Sequence, residues 1–291
     1  MDFINGKELL SLCEKYSLPI SQIMLKREAT LGKSDEEKIY SRLSTSLQIM
    51  KDAAHEPIKT PSKSMGGLIG GESQKIVNAA TSSRDIALCG ETLTRALAYS
   101  MAVLEVNGEM GLIVAAPTAG SSGVLPGCLL AVGESKNLGD EALLTGLLNA
   151  GAVGYLLMRN ASVSGAEAGC QAEVGAASAM AASALTELLG GTPAQCLSAA
   201  SMAMSNLLGL VCDPIAGLVE SPCQSRNAIG TANAFTCAQL SLSGIAHPIP
   251  FDEMVEAMYK VGCSLPFELR ETALGGNAST PTGCSLCRQK G

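Results

Sequence analysis

Apolar positions in the first third of the chain recur at helical spacing. Ile39, Leu43, Leu47, Met50 and Ala54 fall three or four residues apart with charged residues between them, the stripe of a helix buried along one side. Ser34 followed by Glu37 reads as a capping box at its start, and the residue ahead of Pro57 should end it. "TPSKSMGGLIGGES" (60–73) is a Gly/Ser loop without period, and helix resumes over 91–106. The pattern then changes. Segments from Asp140 to Arg159 and from Glu167 to Leu189 are apolar on nearly every side, as buried helices are. Thr192 caps a third with Pro193 at its first position, and further helices fit 227–243 and 252–262. Strand alternation and internal repeats are absent. The expected fold is all-α: an N-terminal helical segment, 1–60, packed on a helical body, 61–291, that carries the chemistry.

Between the buried helices lie four glycine-rich corners: "APTAGSSG" (116–123), "NASVSGAEAGC" (160–170), "GLVCDPIAGLVESPCQSRNAIG" (209–230) and "RETALGGNASTPTGC" (270–284). Each can be read as caps and turns alone. Together, in so apolar a chain, they suggest a polar pocket between helix ends. The third corner is the oddest, because Pro214, Gly217 and Pro222 prevent Cys212 and Cys223 from sharing one regular helix.

Composition narrows the classes. Hydrophobic residues make up 47% of 291, but aromatics only 3%, with no Trp; the core must be Ala, Leu, Val, Met and Gly, which suits closely packed helices. A net charge of −7 without a basic block argues against nucleic acid or an anionic membrane as partner. "ALLTGLLNAGAVGYLLM" (142–158) reaches only the lower limit of a membrane span and contains Asn149 and glycines, so a buried central helix is expected. The start, "MDFINGKELLSLCEKY", is amphipathic and charged rather than a secretion signal, which points to the cytoplasm.

In a reducing compartment, eleven cysteines mean metal, catalysis or packing rather than disulfides. Cys13, Cys89, Cys128, Cys196, Cys237 and Cys263 sit among Leu, Ala and Ser and read as small buried apolar residues. Cys170, Cys212 and Cys223 lie in the broken corners with spacing C-x41-C-x10-C. This matches neither the paired cysteines of zinc sites nor the ferredoxin run. Thiolates without His or Asp ligands beside them favour soft iron–sulfur chemistry over magnesium or calcium. Three of them on a four-iron cluster would leave one iron free as a Lewis acid. Spacing alone leaves the choice between a cluster and incidental cysteines open.

"NASVSGAEAGCQAEVGAASAMAA", "GLVCDPIAGLVESPCQSRNAIG" and "APTAGSSGVLPG" resemble the motifs of the α chain of the two-subunit, iron–sulfur-dependent bacterial L-serine dehydratases, and the resemblance runs through "LRETALGGNASTPTG". It implies a [4Fe-4S] cluster on Cys170, Cys212 and Cys223. It also implies β-elimination of L-serine, with loss of the α-proton and the hydroxyl and decay through an imine to pyruvate and ammonium. Loop position nominates Thr118, Ser121, Ser122, Ser164, Arg226 and Asn227 to hold the substrate, with Lys63 and Ser64 of "KSMGG" at the rim. Cys284 follows "GGNA" by six residues, as a cysteine does in some single-chain relatives, and is a candidate fourth ligand; the alternative is an unstructured tail.

His55, near a helix end, and His247, ahead of Pro248, read as surface or capping residues. The "SSSHT" and "GHGTD"-type motifs that supply a histidine base in single-chain relatives are missing, which implies a base on a separate β subunit and a hetero-oligomer. Related β-eliminating lyases acting on cysteine, threonine or a modified serine share the pattern. A pyridoxal-phosphate enzyme using Lys63 lacks its usual α/β scaffold, and a non-enzymatic cluster carrier would turn over no amino acid.

Overall fold

The computed structural model describes residues 1–83 and 86–288. Among the described residues there is no strand. Helices α1 (Gly6–Tyr16), α2 (Ile20–Leu31), α3 (Glu36–Lys59), α4 (Glu72–Ser82) and α5 (Gly90–Gly108) lead to α6 (Val124–Lys136) and α7 (Asp140–Asn160). Then come the single turn α8 (Gly165–Ala168), a wide π turn (Gln171–Gly175) running into α9 (Ala176–Leu188), α10 (Pro193–Asn206), α11 (Cys223–Leu242), α12 (Phe251–Ser264) and α13 (Pro281–Arg288).

Helix α9 is the axis of the body. Its sequence is largely Ala and Ser, every residue from Ala176 to Thr186 is buried, and α6, α7, α10 and α11 pack around it. Small side chains let those backbones approach closely, and most of the buried polar groups beside it are hydrogen-bonded, Thr231 Oγ1 of α11 being an exception. Ser183 Oγ donates to Asn149 Oδ1 at 2.6 Å, and Asn149 Nδ2 donates to Glu187 Oε2 at 2.7 Å. The apolar stretch 142–158 is thus a core helix, most of it buried, although α7 is long and apolar enough to cross a membrane. Where α6 crosses α5, a Cβ on Gly127 would stand 2.8 Å from the Ala96 carbonyl oxygen, so that crossing requires glycine. The N-terminal helices lie on the same core: α2 packs on α7, α3 on α5 and α7, and Phe3, Leu9, Ile20 and Ile23 are fully buried.

Several expectations are corrected. Helix α3 passes through Pro57 to Lys59, because in the last turn a proline forfeits one donor without blocking a continuing helix. It also begins after Asp35, so Ser34 lies outside and the Ser34–Glu37 box does not form; Glu36 and Glu37 face the N-terminal dipole instead. The Glu167–Leu189 segment is not one helix. It breaks at Gly169, whose φ of 74° and close approach to the Leu210 carbonyl oxygen leave no room for a side chain. Cys89 and Cys263 are exposed, the first just ahead of α5 and the second on the outer side of α12, while Cys13, Cys128, Cys196 and Cys237 are buried as expected. The Thr192 cap is a complete capping box with Gln195. Helices α4 and α6 were not anticipated, and residues 281–288 are helical rather than an unstructured tail.

Candidate active site

The four corners converge, and a few long-range hydrogen bonds make them do so. Gln171, buried, donates from Nε2 to the Met258 carbonyl at 2.8 Å and accepts from Gly209 N–H at 2.8 Å, while its own N–H bonds the Leu210 carbonyl at 2.9 Å. It therefore fastens the segment before Cys212 to the turn that carries Cys170. Cys212 is held on its other side, its N–H on the Leu269 carbonyl at 2.9 Å and its carbonyl on Glu271 N–H at 2.7 Å. Asp213, next along, accepts from Asn277 N–H at 2.6 Å and Asn277 Nδ2 at 2.9 Å, and pairs with Arg226 Nη1 at 2.7 Å. Cys223 opens α11 directly after a cis Ser221–Pro222 bond.

One turn into α11, Asn227 fixes the first corner. Its amide donates to the Gly120 carbonyl at 2.8 Å and the Cys223 carbonyl at 2.9 Å, and its oxygen accepts from Gly123 N–H at 3.0 Å. Arg226 also reaches the Val211 carbonyl at 2.7 Å. Both residues hold loops together, and Asn227 has no amide group left to offer. Glu173, one turn after Cys170, is the convergence point: Thr118 Oγ1 donates to it at 2.8 Å, and the Cys212 thiol faces it at 3.8 Å. Ser121 Oγ lies 3.1 Å from Thr118 Oγ1.

Electrostatics follow from burial. Cys170 is pushed up to about 12, first by burial, then by Glu173 and Cys223, with Arg226 opposing. Cys223 is pushed up to about 12 by burial and then Glu173. Cys212 is raised by burial, then by Glu173, Cys170 and Cys223. Burial also raises the Glu173 carboxyl, against its bonds from Thr118 and Cys212. The three thiols thus feel one another and a shared carboxyl. Among the described residues, however, no three Cys, His, Asp or Glu side chains are drawn in tightly enough to hold a single metal ion.

The other nominated residues are placed as follows. Ser122 Oγ bonds the Ala119 carbonyl at 2.8 Å, and Ser164 precedes α8. Ser64 Oγ bonds the Ile69 carbonyl at 3.0 Å within its own loop, and Lys63 is exposed in that loop. The loop sits on the third corner through Glu220, whose carboxylate accepts Gly66 N–H at 2.6 Å and Leu68 N–H at 2.9 Å. Cys284 lies in α13, which packs against the 215–217 turn, and its thiol faces the Ala278 carbonyl at 3.6 Å. Neither histidine joins the site: His55 bonds the Lys51 carbonyl and Glu134 on the surface, and His247 caps its own linker.

Sequence reading missed Glu173, Gln171, Asp213 and Glu220. Two had a signal. Glu173 is a lone charge in a run of small residues, and Asp213 is the single acidic residue between Glu187 and Glu220.

Gly165 tests the tightness of the site. A Cβ there would lie 2.5 Å from Glu173 Oε2 and 3.1 Å from the Cys212 sulfur. Gly165→Ala should therefore cost about 1–3 kcal/mol, the usual cost of overpacking, and lower the melting midpoint by several degrees. Gly151→Ala in α7, where a Cβ meets only Met24 at 3.9 Å, should melt at or above the parent, since alanine is the better helix former. A Gly165→Ala chain as stable as Gly151→Ala would show that the corner can yield.

Comparison with known proteins now adds the family. The serine dehydratase alpha chain family model matches residues 15–278. The chain is 44% identical over 284 residues to the probable L-serine dehydratase, alpha chain, of Bacillus subtilis, covering 98% of this chain and 94% of that one. It is 42% identical over 283 residues to the L-serine dehydratase, alpha chain, of Peptoniphilus asaccharolyticus, covering 97% and 96%. It is 36% identical over 285 residues to the L-serine dehydratase TdcG of Escherichia coli, covering 95% of this chain but only 62% of that protein. A match of this extent, through every corner that builds the site, places the chain in the serine dehydratase alpha chain family.

Proposed function

We propose that this chain is the cluster-bearing α subunit of an iron–sulfur L-serine dehydratase, eliminating the β-hydroxyl of L-serine to give pyruvate and ammonium together with a β subunit. The observation that carries the reading is the set of three buried thiols, Cys170, Cys212 and Cys223, delivered by three separate segments around Glu173. The donor set fits a soft, sulfur-ligated group better than a hard ion: it is all sulfur, and both histidines are engaged elsewhere. These three cysteines would hold the cluster, with Cys284 in the neighbouring tail helix as a candidate fourth ligand. When bound, the cluster would supply a Lewis acid that makes the serine hydroxyl a better leaving group.

The chain's own residues do the positioning. Gln171 and Asn227 fix the corners, so that the site does not reorganise as charge develops. Thr118, held between Ser121 and Glu173, presents a hydroxyl beside the carboxyl. Arg226, in the first turn of α11, has Nη1 committed to Asp213 and the Val211 carbonyl, and the rest of its guanidinium is the candidate partner for a substrate carboxylate. The base that removes the α-proton belongs to the β subunit in this reading, since both histidines here are engaged elsewhere. Two relatives are themselves named alpha chains, and TdcG carries more than a third of its length outside the match.

The test is anaerobic reconstitution of the two-chain complex with iron and sulfide, followed by assay of serine, threonine and cysteine. Serine should be turned over fastest, with pyruvate as product. A fully loaded complex that leaves serine untouched, or prefers cysteine, defeats the assignment.

A further inference from the structure

In a molecule whose described residues form no strand, residues 111–115, Gly-Leu-Ile-Val-Ala, run on without helix, turn or bend between α5 and the Thr118 corner. Leu, Ile and Val in succession suit a strand. Among the described residues, no backbone N–H or C=O of Leu112, Ile113, Val114 or Ala115 has a hydrogen-bond partner, although the groups on either side do: Gly111 N–H bonds the Val106 carbonyl at 2.8 Å and Ala116 N–H the Thr118 carbonyl at 3.4 Å. Side chains along and beside the segment are apolar and open, with Met110 77%, Leu112 71% and Met158 62% exposed. Val114 and Ala115 form one wall of a groove of about 710 Å³ whose other walls include Leu43, Tyr155 and Met158.

Unpaired backbone groups in a row, flanked by apolar surface, are the template to which another chain adds a strand. We infer that residues 111–115 are the edge onto which the second chain of the enzyme adds a β-strand, with its apolar side chains in the adjoining groove. This rests on the two-chain reading above. The occupant follows from the relatives: TdcG has more than a third of its length beyond what this chain matches, a portion that one polypeptide keeps tethered to the matching body. The segment is continuous with the site, leading through Pro117 into Thr118, which bonds Glu173. A second chain paired here delivers its groups to the rim of a site that has no histidine of its own. A strand is favoured over a helix because only an extended segment can use consecutive free backbone groups.

The test uses the full chain, alone and in complex with its second chain. In the free chain the amides of Leu112, Ile113, Val114 and Ala115 should exchange with deuterium almost as fast as in an unstructured peptide. In the complex, alternate amides should slow by at least about a hundredfold. Leu112→Pro and Ile113→Pro remove donors that are unused in the free chain, so its helical signal and melting should hold. At least one of the two should weaken the complex by about tenfold or more, since only alternate residues pair with a given neighbour. A complex that forms while these amides exchange unchanged, or that tolerates both prolines, overturns the docking site and leaves the two-chain reading intact. No complex at all overturns both. Protection that grows with concentration in the chain alone would name a second copy as the occupant and overturn the proposal.

Discussion

Cys212→Ser will fold but will not hold iron and sulfide. The backbone of residue 212 is fixed from both sides, by Leu269 and Glu271, so the loop keeps its place when the sulfur is replaced by oxygen. What disappears is a soft donor in a buried position, where the nearest other group is the hard Glu173 carboxyl and both histidines are engaged elsewhere. Losing even an outer partner of a metal ligand commonly costs about 10–100-fold in metal affinity, and losing the ligand itself should cost no less. Iron and sulfide analysis after anaerobic reconstitution should therefore show at least about a tenfold drop, with serine turnover falling alongside. Cys170→Ser and Cys223→Ser should behave alike. Cys13→Ser and Cys237→Ser, in the helical core, should keep both cluster and activity. Full iron content in any one of the first three variants removes that residue from the ligand set.

Asp213→Ala will be among the most destabilising single changes in the chain. Its carboxylate is buried, holds Arg226, whose side chain is only 14% exposed, and accepts two hydrogen bonds from Asn277. Truncation leaves a mostly buried cation with only the Val211 carbonyl to bond, and takes the acceptor from two part-buried donors of Asn277. Breaking a buried pair in this way costs about 3–5 kcal/mol, a fall in melting midpoint of roughly 6–20 °C for a domain of this size. The coupling is measurable: Arg226→Met on top of Asp213→Ala should recover part of the loss, because the orphaned charge goes with it. A midpoint within a degree of the parent would mean that Asn277 and Arg226 find water, and that the tail is not anchored here. Gly276→Ala should show a smaller version of the same defect, since a Cβ at that left-handed position (φ 56°) would strike Asp213.

The periodic elements were legible and the irregular ones only partly so. The stripe of α3, the apolar run of α7 and the Thr192 cap could be read because each is local: spacing and capping chemistry lie within a few residues. Helix α6 hid because Pro126 and Gly127 interrupt a segment that is apolar all round, so no polar face marks a period. Helix α4 is short and mostly polar, and passes for loop. At the site, the resemblance singled out the cysteines, but the residues that bring them together have partners far along the chain: Gln171 with Gly209 and Met258, Asn227 with Gly120 and Gly123, Asp213 with Asn277. No window of sequence contains both halves of such a bond. The same distance explains why Arg226 and Asn227, nominated from loop position as substrate groups, prove to be clamps as well.

The pairing of Cys212 with residues 269–271 also sets an order of events in biosynthesis. Translation delivers all three cysteines before it delivers the segment that grips the middle one. Until Leu269, Glu271 and Asn277 have left the ribosome, Cys212 and Asp213 sit on a loop held by Gln171 and Arg226 but without its clamp on the C-terminal side. A nascent chain can thus complete its helical core while its thiols are still unassembled. The clamp on Cys212 and Asp213 is complete only once synthesis has passed Asn277, so a polypeptide arrested or clipped before that point would keep its helices and lack a fully set site.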